Sequence, residues 1–195
     1  PFALPVLHAE DDAAGGPGYF IVEGIADFVK DWDYETTPGK ALQQNGKAHY
    51  ADIVGGLPAS AVLPWSMILN APQRQAYALL GESEVKVPLR WQMGAGSRFS
   101  KGNVYYAQSA AMTAYLYLAE GGKHRQALFA YLYDHYAGSC EPEKLLASVG
   151  CTADELGTRI VAWCRATVGG AAEKPTGKPG EKPKGEARKV TTKTV

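Results

Sequence analysis

Gly18-Tyr19-Phe20-Ile21-Val22-Glu23-Gly24-Ile25-Ala26-Asp27-Phe28 is the densest apolar stretch of the first half, and Val29 and Trp32 extend it. Its pattern predicts a buried helix. Two carboxylates interrupt that helix. Glu23 and Asp27 are four residues apart, so both lie on one helical face. Like charges at this spacing repel, and burying either one unpaired is costly. A cation that neutralises one, or a histidine that pairs with the other, resolves the conflict, and a metal site does both. Gly24, beside Glu23, lowers helix propensity and points to close approach of another backbone or group.

Working outward, residues 10–18 are acidic, then glycine-rich, and read as a loop, while Pro38-Gly39 ends the apolar element. A polar helix or loop follows to about Tyr50, then a stretch broken by Gly55-Gly56, Pro58 and Pro64. A helix is expected from Pro72 to Leu80, stopped by Gly81. Residues 84–101 read as a strand fragment (Val85-Lys86-Val87) with an irregular loop. Asn103 is the expected N-cap of a helix running to Ala119 and closed by Gly121-Gly122. Another helix spans about 123–136 and ends at Gly138. Glu141-Pro142 opens a short helix that Gly150 ends, and Thr152 with Glu155 forms a capping box for the last helix, to about Val168.

The predicted architecture is mainly α over residues 1–170, with at most a small β element. Residues 1–17 are a loop or the remnant of an upstream lobe. Residues 171–195 carry seven basic side chains against three glutamates and almost no large apolar ones. That composition predicts a disordered Lys/Pro-rich tail.

With 195 residues, 46% of them hydrophobic, the chain is long enough for one domain with a sizeable core. Its 20 basic side chains balance 20 acidic ones, so no global charge points to nucleic acid. Cys140, Cys151 and Cys164 form no Cys-x-x-Cys pair, which argues against a zinc ribbon or redox motif. One disulfide with a spare thiol, or three buried thiols, both fit. No run of 18 apolar residues exists, so no transmembrane segment is expected. The start at Pro1-Phe2-Ala3-Leu4-Pro5 has no Met and no basic region. It reads as a processed or excised beginning rather than a signal peptide.

Two segments carry a resemblance. Glu23-Gly24-Ile25-Ala26-Asp27-Phe28 resembles the segment that supplies the third zinc ligand in gluzincin metallopeptidases. The likeness is to the peptidase-MA-like group, and the same six residues resemble plant-type basic secretory proteins. Tyr105-Tyr106-Ala107-Gln108-Ser109 is similar to a Tyr-Ala-Gln segment of that group, and to a segment of related aminopeptidases whose tyrosine stabilises the tetrahedral intermediate. The resemblance implies the helical carboxy-terminal lobe of a zincin-like peptidase, an exported or extracellular setting, and a peptide or protein substrate. It implies zinc held by Glu23, Asp27 orienting a histidine ligand, and Tyr106 as the donor to the developing oxyanion.

The chain departs from that family at its central motif. Gluzincin chemistry needs two histidines at i and i+4 with an intervening Glu as base. His8, His49, His124 and His135 contain no such pair. The chain is therefore expected to lack peptidase activity unless the motif lies upstream. The alternative is a non-catalytic peptide-binding or structural helical module derived from a degenerate peptidase. Plain readings remain beside the sharp ones. Glu23 and Asp27 also suit capping or pairing on a surface helix. Tyr106 is one of eleven tyrosines, several at helical spacing that suits packing. His124 and His135 read as surface or half-buried histidines.

Overall fold

Helix α5 (Lys101–Leu118) runs through the middle of the molecule, with 13 of its 18 residues buried. A helix apolar on every side is a core helix, and Ala107, Ala110, Ala111 and Ala114 let its neighbours approach closely. The computed structural model describes residues 16–30, 49–81, 85 and 99–170. The expected loop and remnant at 1–15, the turn at Pro38-Gly39, most of the 84–101 segment and the 171–195 tail lie outside these residues.

In chain order the helices are α1 (Phe20–Lys30), α2 (His49–Gly56), α3 (Trp65–Asn70), α4 (Gln73–Ala78), α5, α6 (Arg125–Tyr136), α7 (Pro142–Val149) and α8 (Ala153–Gly170). Single 3-10 turns stand at Ala59–Ala61, Leu79–Gly81 and Ala119–Gly122. Helix α1 lies along α5, α2 lies between α5 and α8, and α6 bridges α5 and α7. The mainly α class expected from the sequence is the observed one. Among the described residues no strand forms, and the β element reduces to Val85 donating its amide to the Phe99 carbonyl at 2.7 Å. No single described helix is long and apolar enough to cross a membrane.

Several helix ends follow the sequence signals. Pro142 opens α7, and Gly150 closes it with a left-handed φ of 73°. Thr152 and Glu155 exchange bonds at the head of α8, where the Glu155 amide donates to Thr152 Oγ1 (3.3 Å) and the Thr152 amide to Glu155 Oε2 (2.8 Å). Helix α5 starts three residues earlier than Asn103 suggested. Ser100 is its N-cap, and Asn103 is the reciprocal N3 partner, accepting from the Ser100 amide at 2.7 Å. An asparagine fills that position as a glutamine does, because its carbonyl reaches back the same way.

Helix α2 runs to Gly56 and stops there, in keeping with the break expected at Gly55-Gly56. Gly55 lies where α2 meets α8, its missing Cβ only 3.3 Å from the Arg165 backbone nitrogen, and Arg165 Nε donates to the Gly55 carbonyl at 3.0 Å. Tertiary packing outweighs the ~1 kcal/mol propensity cost of each glycine. The three cysteines are free, Cys164 buried and the others half-buried.

Both histidines of the second half are buried, not surface residues: His124 is 3% and His135 6% exposed. The His124 ring stacks on Tyr115, and its Nε2 lies 3.7 Å from Glu120 Oε1. His135 lies against the Pro17 backbone, and burial lowers its pKa from the ordinary 6.5 while that backbone bond opposes the shift. A depressed histidine pKa favours the neutral ring in the fold, so its contribution is present above about 6.5 and is lost as pH falls. The denaturant midpoint of the wild type should therefore drop between pH 8 and pH 5 by more than that of His135→Gln. Equal drops in the two proteins would remove His135 from the acid sensitivity.

Candidate functional site

Glu23 sits in the first turn of α1, half-buried, on the side that faces α4 and the start of α5. Its position on the helix is fixed by the contact beside it. Gly24 is pressed onto α5, where an added Cβ would meet Thr113 Oγ1 and the Ser109 carbonyl oxygen, the latter at 2.5 Å. The close approach predicted from this glycine is a backbone carbonyl and a threonine hydroxyl.

One carboxylate oxygen, Oε1, accepts from the Tyr19 hydroxyl at 2.6 Å, one helical turn back. Tyr19 Oη also lies 2.8 Å from Tyr77 Oη on α4. Because Tyr19 spends its only proton on Glu23, Tyr77 is the donor in that second bond. Gln73 Nε2 stands 3.4 Å from both hydroxyls. The two rings meet edge to face, 5.7 Å apart at 81°. Burial raises the Tyr19 pKa, and the bond to Glu23 raises it further, so the phenol stays protonated.

Tyr106 lies half-buried in the second turn of α5. Its ring stands against Tyr105 at 6.0 Å, and its pKa is pushed up to about 12, first by burial and then by the fields of Glu23, Tyr77 and Asp27. Glu23 and Tyr106 are 83 positions apart in sequence, and the α1–α5 contact brings them within electrostatic reach of each other. Asp27 turns elsewhere, its Oδ1 3.3 Å from Lys30 Nζ at the surface. No histidine partner for it stands among the described residues.

Zinc can be tested against these side chains. Among the described residues no three of His, Cys, Asp or Glu stand together. Glu23 offers one carboxylate where a tetrahedral site needs three or four ligands, and protonated phenols do not replace the missing ones. His124 and His135 are buried in contacts of their own. The described residues therefore do not hold zinc by themselves.

Tyr19, Tyr77 and Gln73 were not singled out in the sequence. Tyr19 carried a usable signal, its i,i+4 spacing to Glu23. Tyr77 carried none, because only the docking of α4 brings it there. At successive turns of α5 the hydroxyls of Tyr105, Ser109 and Thr113 are buried with no hydrogen-bond partner among the described residues. Comparison with protein-family models, with curated proteins and with solved structures gives no match for this chain.

Proposed function

We propose that this chain is a helical lobe of a peptide-processing site, to which it supplies Glu23 as a zinc ligand and Tyr106 as the donor to the developing oxyanion. The supporting observation is that α1 packs along α5 and sets Glu23 close enough for its charge to act on Tyr106, although nothing local in the sequence joins them. The remaining ligands, a histidine pair, and the glutamate base between them would come from residues other than these 195. Zinc in the assembled site would supply Lewis acidity and a water of lowered pKa. Tyr106 is protonated at neutral pH and so has a proton to donate.

The test uses the chain extended by the sequence encoded directly before Pro1. In the extended protein Glu23→Gln should lose both bound zinc and peptide hydrolysis. Tyr106→Phe should keep the zinc and lose about 100-fold in rate. Full activity and zinc in Glu23→Gln would refute the reading. In the 195-residue chain Glu23→Gln should also hold stability or gain about 1 kcal/mol, since no described cation pairs with the carboxylate. A clear loss there would make Glu23 a structural ion-pair member.

A second reading is a lobe that binds peptides without cleaving them. The observation in its favour is that Glu23 already takes a short hydrogen bond from Tyr19.

A further inference from the structure

We infer that the Tyr19–Glu23–Tyr77 cluster is a binding site for a primary ammonium group, as carried by a lysine side chain or a peptide amino terminus. This rests on the second reading above, a lobe that binds peptides without cleaving them, in which Glu23 holds no zinc.

The argument starts from the direction of the protons. Gln73 Nε2 and the Tyr77 hydroxyl give towards Tyr19 Oη, and Tyr19 gives to Glu23 Oε1. Every hydrogen in the chain of bonds is directed at the carboxylate. What no described residue occupies are acceptors: the second oxygen of Glu23 and the remaining lone pair of Tyr77 Oη. A ligand that completes such a site must donate and has nothing to gain from accepting. An ammonium has three donors and no acceptor.

Charge selects in the same direction. The Glu23 carboxylate is half-buried, and among the described residues no basic side chain pairs with it. The nearest lysine on its own helix, Lys30, is engaged by Asp27 at 3.3 Å. A neutral donor would satisfy the oxygen but leave the charge uncompensated.

Shape favours an organic cation over a bare metal ion. One carboxylate and protonated phenols are a poor metal shell, whereas an ammonium asks only for acceptors. Tyr77 is 46% exposed and stands at a right angle to Tyr19, which leaves aromatic surface beside the carboxylate for the methylenes that carry the charge. Cations are drawn to such rings as well.

The experiment is an amide-resolved NMR titration of the 195-residue chain with n-butylammonium chloride, Nα-acetyl-lysine amide, alanine amide and, as the uncharged analogue, Nα-acetyl-norleucine amide. The three cations should give saturable shifts centred on Tyr19, Glu23 and Tyr77, with dissociation constants of about a millimolar for a partly exposed charge pair. Glu23→Gln, folded by its amide spectrum, should weaken them at least tenfold. The stronger of the lysine and alanine arms identifies the side chain or the amino terminus as the natural donor. Shifts that fail to saturate, equal shifts from the norleucine compound, or unchanged affinity in Glu23→Gln would each overturn the assignment. So would zinc chloride saturating the same amides at micromolar concentration, because the carboxylate would then be a metal site. Failure of hydrolysis in the extended protein leaves this result untouched, whereas zinc held through Glu23 there would overturn it, because one carboxylate cannot serve both cations.

Discussion

Gly24→Ala should destabilise the protein by about 2 kcal/mol or more, although alanine is the better helix former. Two effects oppose each other. In an open helix the substitution gains roughly 1 kcal/mol of propensity. Here the new methyl enters the seam between α1 and α5, against Thr113 Oγ1 and, 2.5 Å away, the Ser109 carbonyl oxygen. A threonine side chain can rotate aside, but a carbonyl in the middle of a buried helix cannot. The two helices must separate, and Phe20, Ile21 and Phe28 on the same face of α1 lose contact with the core. Overpacking of this kind costs ~1–3 kcal/mol and occasionally more, which exceeds the propensity gain. Thr113→Ala in the same chain should restore only part of the loss, since the backbone obstacle remains. Chemical denaturation of the single and double variants measures both numbers. A Gly24→Ala protein as stable as the wild type would mean that α1 does not lie this close to α5.

The same seam shows what the residues revealed in advance. Gly24 announced a close contact, because a glycine inside an apolar helical pattern has a packing reason more often than a conformational one. The caps at Pro142, Gly150, Thr152 and Glu155 were equally legible, since a cap is a local hydrogen-bonding problem with few solutions. Residues whose environment is set by distant partners were not. Gly55-Gly56 marked the end of α2, but nothing local showed that Arg165, 110 positions away, holds the Gly55 carbonyl. His124 and His135 read as surface or half-buried because their neighbours in sequence are polar, yet Tyr115 covers the first and the Pro17 backbone meets the second. At the candidate site, Glu23 stood out as a charge in apolar surroundings. Tyr106 was named through its resemblance to a family segment alone, and Tyr77 was invisible until α4 was in place.

Gln108 gives the second large effect, and nothing in its local sequence distinguishes it from a surface glutamine. It is fully buried in α5. Its side-chain amide accepts from the Leu63 amide at 2.8 Å and donates to the Leu63 carbonyl at 3.1 Å, as a neighbouring strand would. Leu63 needs this partner. It lies between the turn at Ala59–Ala61 and α3, and Pro64 after it holds it out of the helical region, so no helix can satisfy its backbone. Gln108→Met keeps most of the volume but removes both bonds, leaving two buried backbone groups unpaired at ~1–3 kcal/mol each. A loss of about 2 kcal/mol or more is therefore expected, and Gln108→Ala should exceed it, because a cavity is added to the same two broken bonds. Gln108→Glu tests the geometry in another way. A carboxylate can still accept from the Leu63 amide but has no proton for the Leu63 carbonyl, so it should rank below glutamine and recover as pH falls and the side chain protonates. Denaturant midpoints of the three variants at neutral pH, with the glutamate protein repeated at pH 4, decide the matter. A methionine variant as stable as the wild type would show that water reaches Leu63, and that α5 does not hold the 62–64 segment through this side chain.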